Sequence, residues 1–121
     1  MTLTTIGVDV SKDSLDVHRL PDGESRRFAN DMIGHKTLIA WLGDAAIGRI
    51  VYEATGPYHR AFERAVGAAG LPLVKVNPRR ARRFAEAIGT LAKTDRVDAA
   101  MLAHMGQALS PKLTCLPSRT L

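Results

Sequence analysis

The sequence lacks several features that would point to a particular class of protein. It has one cysteine, Cys115, in 121 residues, so no disulfide can form within the chain and a reducing compartment is expected. No apolar run approaches the roughly 18 residues that a membrane-spanning helix requires. The first residues, MTLTTIGVDVSK, contain no basic start followed by an apolar stretch, so we predict no signal peptide. A soluble, cytoplasmic protein without a membrane partner is therefore the expectation.

Acidic residues are few compared with basic ones. The chain has 17 Lys and Arg against 12 Asp and Glu, for a net charge of +5, and its pI is about 9.9. Such a charge favours an anionic partner, and nucleic acid is the usual one. At this length we expect one domain, over residues 1–109. Residues 110–121 carry two prolines and no periodicity, which indicates a tail or the start of a truncated connector.

The order of the predicted elements indicates the fold class. Three short β-rich segments open the chain, and the turn sequence PDGE separates the second from the third. The apolar pattern then changes to helical spacing, and two compact apolar runs, RIVYEAT and LPLVKV, alternate with helical segments. The order β-β-β-α-β-α-β-α predicts an α/β domain with a mixed sheet flanked by helices. A ribonuclease H-like fold presents its elements in this order.

Two acidic residues lie at the ends of predicted strands. Asp9 closes the first strand in GVDVSK, and Glu53 closes the buried strand in VYEATG. The plainer interpretation is a strand-edge aspartate that caps the next turn with Ser11, and a solvated glutamate at a strand terminus. The functional interpretation is that a strand's carboxyl end is where mixed and parallel sheets collect their functional groups.

Two more acids, Asp95 and Asp98, stand three residues apart in KTDRVDAA, where the last helix is predicted to begin. As helix caps they would accept backbone amides and favour the positive end of the helix. Asp98 also falls in line with Leu102 and Met105, which predicts that it points along the buried stripe of the helix. A carboxylate in that position is costly without a cation or hydrogen-bond donors.

Together the four carboxylates suggest a metal site. If they converge on one point, their mutual repulsion requires a divalent cation, and hard oxygen ligands suit Mg²⁺ or Mn²⁺. Two such ions about 3.5–4 Å apart can activate a water or hydroxyl and stabilise the leaving oxygen in phosphodiester cleavage. The predicted catalytic and metal-binding residues are Asp9, Glu53, Asp95 and Asp98.

The segments GVDVSK, YEATGPYH and KTDRVDA, in that order, resemble the three motifs of the DEDD-type transposases of insertion-sequence class 110, which are related to the Piv invertase. The resemblance covers nearly the whole chain. It implies a ribonuclease H-like domain similar to the RuvC Holliday-junction resolvase, with the four acids as metal ligands. It also implies DNA as a partner, together with a noncoding guide RNA that chooses target and donor DNA. We expect the full-length protein to be a homo-oligomer.

The same resemblance implies that part of the activity lies outside this chain. The family's proteins are longer, and they carry a C-terminal transposase region, with a serine implicated as a nucleophile, after a helical connector. Ser110 and Ser118 match no family motif, so neither receives a catalytic role. The expected function is metal-dependent DNA strand cleavage and transfer, incomplete without the C-terminal region.

A cluster of arginines on one predicted helix is a candidate nucleic-acid surface. Ala81, Phe84 and Ala85 share one side of that helix, and the arginines take the other. Between Lys75 and Arg96 the sequence has seven basic residues and two acidic ones. The face is either simply solvated or contacts phosphates, which would give salt-dependent affinity without sequence choice. The candidate nucleic-acid-binding residues are Arg79, Arg80, Arg82, Arg83, Lys93 and Arg96.

Two other functions stay open on the sequence. One is a non-catalytic nucleic-acid-binding module with the same ribonuclease H-like fold. The other is a sugar-kinase or actin-like ATPase, because GVDVSK also resembles the phosphate-binding hairpin of that group. That hairpin normally has a glycine where Val10 or Ser11 stands, and its architecture needs a second domain that this length excludes.

Overall fold

A five-stranded mixed sheet with helices on both faces forms the fold. The computed structural model describes residues 4–20, 22–43, 46–53, 56–87 and 98–108. In chain order the elements are β1 (Thr4–Val10), β2 (Ser14–Leu20), β3 (Glu24–Ala29), α1 (Met32–Leu42), β4 (Ile47–Glu53), α2 (Arg60–Ala68), β5 (Leu73–Val76), α3 (Pro78–Ala87) and α4 (Ala99–Ala108).

The sheet has the strand order β3-β2-β1-β4-β5. The first three strands form an antiparallel meander, and β1 then pairs in parallel with β4, which pairs in parallel with β5. The parallel pairs place the carboxyl ends of β1, β4 and β5 along one edge of the sheet. The predicted class, an α/β domain with a mixed sheet flanked by helices, is confirmed.

The two faces of the sheet are covered by different helix pairs. Tyr52 packs in a core with Phe62 of α2 and Leu38 of α1. The preceding residue, Val51, packs in a second core with Ala81 of α3 and residues of α4. Neighbouring residues of a strand point to opposite faces, so α1 and α2 cover one face while α3 and α4 cover the other.

Helix α4 approaches the central strand so closely that no side chain fits between them. A Cβ atom at Gly7 of β1 would overlap the backbone carbonyl oxygen of Ala99 and the amide nitrogen of Ala103. On the same helix, a Cβ at Gly106 would press on the side chains of Val51 and Thr5. Two glycines, one on the strand and one on the helix, therefore permit this packing.

Most predicted boundaries agree with the structure, and one helix begins later than expected. In the sequence, Asn77 and Pro78 are a typical N-cap and first-turn pair, which predicts a helix start there. Helix α3 begins at Pro78, and the Asn77 side chain accepts the backbone N–H of Arg79 at 2.7 Å.

For α2, the sequence predicts a first turn that contains Pro57. The helical spacing of Tyr58, Phe62 and Val66 predicts that Tyr58 lies in the core. The helix instead begins at Arg60, so Tyr58 precedes it and is 46% exposed, because the helical period does not apply before the helix starts.

The sequence predicts that no helix spans a membrane. Among the helices that the structure describes, none is long and apolar enough to cross a membrane.

The start of the last helix is predicted at about residue 95. Residues 88–97 lie outside the described part of the chain, and the described α4 begins at Ala99.

The close packing of α4 generates a test of the fold. We expect Gly7→Ala to lower the free energy of unfolding by about 1–3 kcal/mol or more, because the added methyl group displaces the α4 backbone. Gly67→Ala is the matched control, since a Cβ there meets only Leu73 Cδ1 at 3.8 Å and alanine favours a helix. Urea denaturation of both variants measures the difference. Equal stabilities would contradict the packing of α4 on β1.

Candidate catalytic site

Asp9 and Glu53 lie side by side at the carboxyl-end edge of the sheet. Val8 of β1 is paired with Tyr52 of the parallel strand β4, and each acid directly follows one member of that pair. Both side chains are partly buried. The parallel register thus brings together two predicted site residues that are separated by more than forty positions in the sequence.

The two acids also point to the same face of the sheet. Gly7 faces α4, and Asp9, two residues further along β1, shares that face. In β4, Val51 packs against the α3 and α4 core, and Glu53 is again two residues further. Both strand-end acids therefore lie on the face covered by α3 and α4.

Asp98 lies at the N-terminus of α4, on this same face. Its Oδ1 accepts the backbone N–H of Met101 at 2.9 Å and its carbonyl oxygen accepts that of Leu102 at 3.0 Å, which is the pattern of an N-cap residue. The prediction that Asp98 points along the buried stripe is wrong, because its side chain is exposed. An N-cap residue has left the helical backbone conformation, so the helical projection does not apply to it.

A cavity of about 420 Å³ lies between the N-terminus of α4 and strands β1 to β3, and Asp9 and Asp98 both line it. Asp16 and Arg27 line it as well. Two of the predicted acids thus line one cavity together with Asp16 of β2 and Arg27 of β3.

Asp16 is a residue of this site that sequence reasoning missed. It is the direct cross-strand partner of Asp9, and Arg27 of β3 is its own partner on the other side. Arg27 Nε donates to Asp16 Oδ1 at 2.7 Å, and Nη2 donates to Oδ2 at 3.2 Å. The alternation in LDVHRL indicates that Asp16 lies on the less apolar face of its strand. The register between β1 and β2 that sets it beside Asp9 has no signal in the sequence.

The remaining predicted acid, Asp95, lies outside the described residues, as do Lys93 and Arg96. Over residues 4–20, 22–43, 46–53, 56–87 and 98–108, no three His, Cys, Asp or Glu side chains lie close enough together to hold a metal ion. The convergence of all four acids on one metal site therefore stays a prediction.

A partly buried ionic cluster supports the strand that carries Glu53. On the opposite face of β4, the Tyr52 hydroxyl donates to Glu63 of α2, and Lys75 Nζ of β5 lies 2.9 Å from the same carboxylate oxygen. Burial acts to raise the pKa of Glu63, but the Tyr52 hydrogen bond and Lys75 outweigh it and lower that pKa. Burial and the bond to Glu63 raise the pKa of Tyr52. The cluster joins β4, β5 and α2 next to the candidate site.

Asn30 connects the first two motifs of the sequence. Its Nδ2 donates to the carbonyl oxygens of Ser11 at 2.8 Å and Tyr58 at 3.0 Å. Its Oδ1 must therefore accept the 2.8 Å bond to His35 Nε2, which makes the ring nitrogen the donor. Burial lowers the pKa of His35, against an opposing effect of the Asp31 carboxylate.

The predicted arginine surface divides into two parts. Arg79, Arg80 and Arg83 of α3 are exposed and line a concavity of about 450 Å³ together with Lys75. Arg82 is partly buried, and its Nε lies 3.7 Å from Glu86 one turn later. The structure thus places Arg79, Arg80 and Arg83 on the exposed side of α3, which follows β5 at the sheet edge that carries Glu53.

Comparison with known proteins identifies the family. The sequence model of the family of DEDD transposases of insertion-sequence class 110, described as Transposase, matches residues 6–120. The chain belongs to this family. The pilin gene-inverting proteins of Moraxella bovis and Moraxella lacunata are each 27% identical to it over 119 residues, covering 93% of this chain. The chain spans 37% of the length of either protein.

The fold of this transposase-family chain is similar to that of RuvC. T. thermophilus RuvC, solved in complex with a Holliday junction substrate, matches with a TM-score of 0.61 and 11% identity. The match covers 90% of this chain and 97% of RuvC. The predicted RuvC-like, ribonuclease H-like fold is thereby confirmed, as is the family resemblance on which it was based.

The burial of His35 lets us predict how the stability of this transposase-family chain depends on pH. Burial lowers the pKa of His35 in the fold. Its neutral form therefore contributes to the free energy of unfolding above about pH 6.5, and this contribution is lost as the pH falls through the lowered pKa. We expect His35→Gln to lose less unfolding free energy between pH 7 and pH 5 than the unsubstituted chain. Urea denaturation at both pH values measures this.

The control for this experiment is His104→Gln, which makes the same substitution at an exposed position of α4. It should behave as the unsubstituted chain does. If His35→Gln retains the full loss between pH 7 and pH 5, the charging of His35 is not what destabilises the fold in acid.

Proposed function

We propose that this chain is the N-terminal catalytic domain of a DNA transposase that uses divalent metal to cleave and transfer DNA strands. The observation that carries the proposal is the arrangement of three acids. Asp9 and Glu53 end adjacent parallel strands on the face covered by α3 and α4, and Asp98 is the N-cap of α4. Asp95, three residues before Asp98, completes the proposed set.

The chemistry of these donors fits Mg²⁺ or Mn²⁺. All four are carboxylates, which are the hard oxygen ligands that these ions prefer. The capping bond from Met101 occupies one acceptor site of Asp98, and a carboxylate has about four, so capping and metal binding are compatible. When bound, a pair of ions supplies an activated nucleophile and a stabilised leaving oxygen.

The protein's own side chains would hold the nucleic acid against these acids. Arg79, Arg80 and Arg83 are exposed on α3 and share a concavity with Lys75, which suits the phosphate backbone of DNA. Lys93 and Arg96 flank Asp95 in the sequence, and we propose that they contact phosphate as well. We propose that Arg82 contributes less to phosphate binding, because it lies close to the Glu86 carboxylate.

The complete reaction needs more than this domain. Since the chain spans 37% of its curated relatives, strand transfer, a guide RNA and homo-oligomerisation are proposed for the full-length protein. We propose residues 1–109 as the domain and 110–121 as a tail or the start of a truncated connector. The isolated chain is expected to bind nucleic acid with little or no cleavage. A non-catalytic binding module is the competing function, and it shares the fold and the basic surface.

A metal titration tests the acid site. We expect Mn²⁺ or Mg²⁺ to raise the melting temperature, with a stabilisation of about 2.7 kcal/mol at a hundredfold excess over Kd. Asp9→Asn should raise metal-free stability, because it removes repulsion, and weaken the metal response. Asp22→Asn is the control, since Asp22 is paired with Arg19 in the turn after β2. A metal response that survives in Asp9→Asn would remove Asp9 from the site.

A second experiment separates binding from chemistry. The double variant Arg79→Gln/Arg83→Gln should flatten the slope of log K against log salt by about 0.9 for each lost contact with duplex phosphate. The matched control is Arg60→Gln/Arg64→Gln, which removes two exposed arginines of α2 on the opposite face. Fluorescence anisotropy with a labelled duplex measures the slopes.

Asp9→Ala should leave the salt slope unchanged and abolish cleavage in a full-length relative that carries the corresponding substitution. Its loss removes a proposed metal ligand and with it several kcal/mol of transition-state stabilisation. Full cleavage by this variant would favour the non-catalytic binding module.

A further inference from the structure

We propose that Arg27 of β3 forms a second phosphate-binding site, which holds the sugar-phosphate backbone of a nucleic-acid strand on the side of the acids opposite to α3. This inference deepens the proposed function and rests on it. Arg27 lies on β3, which contains none of the three sequence motifs and is separate from the arginine surface of α3.

The first argument is position. In the sheet, Arg27 is paired with Asp16, and Asp16 is paired with Asp9. Two strand spacings of about 4.8 Å put the Arg27 backbone roughly 10 Å from that of Asp9. Arg27 and Asp9 also share a face, since residues paired across neighbouring strands point the same way. A long arginine side chain that starts at this backbone position can reach a phosphate next to one held at Asp9.

The second argument is the shared cavity. Arg27, Ser25, Asp9 and Asp98 line the same space of about 420 Å³ at the N-terminus of α4. A strand whose phosphate approaches Asp9 and Asp98 must pass through this space, and its neighbouring phosphates then meet Arg27. Arg26 also lines the cavity, but its guanidinium group pairs with Glu24 and lies over Trp41. Without Arg27 the strand would therefore mainly meet the carboxylates of Asp9, Asp16 and Asp98, which repel phosphate.

The third argument is the state of the guanidinium group. The Arg27 side chain is 71% exposed, and Asp16 is 38% exposed. Ion pairs this exposed are weak, so phosphate can compete with Asp16 for the cation. The bonds to Asp16 use Nε and Nη2, and an arginine has five N–H donors. Donors of the guanidinium group therefore stay available to a phosphate oxygen even while Asp16 is bound.

This site and the surface of α3 bracket the acids. The strand order puts β3 at one edge of the sheet and β5, which leads into α3, at the other. Asp9 and Glu53 lie on β1 and β4 between them. A nucleic-acid strand that runs across the sheet edge would therefore meet cations on both sides of the proposed reaction centre, and both sets of contacts would fix its register.

The two partners of the Arg27–Asp16 pair give a test with opposite signs. Arg27→Gln should weaken binding and flatten the slope of log K against log salt by about 0.9 with a random-sequence duplex, or about 0.7 with its single strand. Asp16→Asn breaks the same ion pair but keeps the cation, so the slope should stay and binding should tighten. Arg27→Lys should restore most of the slope, and Arg64→Gln on α2 is the control for charge.

The result that overturns the site is a loss of affinity in Asp16→Asn equal to that in Arg27→Gln, because the pair would then be only structural. An unchanged slope in Arg27→Gln, alongside a flattened one in Arg79→Gln/Arg83→Gln, would also reject it while leaving the proposed function in place. Absence of binding by the unsubstituted chain would reject both. Circular dichroism of each variant, recorded before the titrations, establishes that the compared proteins are folded.

Discussion

The arrangement of the candidate site depends on the contact between the backbone of α4 and Gly7 of β1. Because Gly7 has no side chain, the helix lies directly on the central strand at Ala99 and Ala103. The residue before Ala99 is Asp98, and Asp9 is two residues beyond Gly7. One close backbone contact thus fixes the N-cap acid of the helix relative to the acid of the strand. Any side chain at position 7 would move the helix outward and widen the cavity that the two acids share.

The carboxyl-end edge of the sheet is supported from the face opposite to α4. There the Tyr52, Glu63 and Lys75 cluster joins β4, α2 and β5, and Asn30 joins the turn after β1 to the segment before α2. The acids therefore belong to strand ends whose backbones are held by hydrogen bonds on the other side. Such support keeps repelling carboxylates near one another, a cost that an unsupported loop would relieve by moving.

Local patterns predicted the strands, the class of fold and the positions of Asp9 and Glu53 at strand ends. The β-branched run around Ile6 and the apolar run before Glu53 each identify a buried strand, and Asn77 with Pro78 marks the start of α3 correctly. What depends on pairing between distant strands could not be predicted, because register has no local signal. This is why Asp16 was missed beside Asp9. Tyr58 and Asp98 each precede the first residue of a helix, so the helical period does not apply to them. Applying it predicts a buried side chain at both positions, whereas both are exposed.

The close packing of α4 on β1 also has a consequence for the order in which the chain becomes structured during synthesis. The helix starts some ninety residues after Gly7, so the contact is among the most non-local in the domain. Until the ribosome has released residue 108, Val51, Val74 and Val76 have no α4 to cover them. A sheet face that waits for its last helix folds slowly and exposes apolar surface. The apolar surface formed by these valines therefore stays open to solvent until α4 docks.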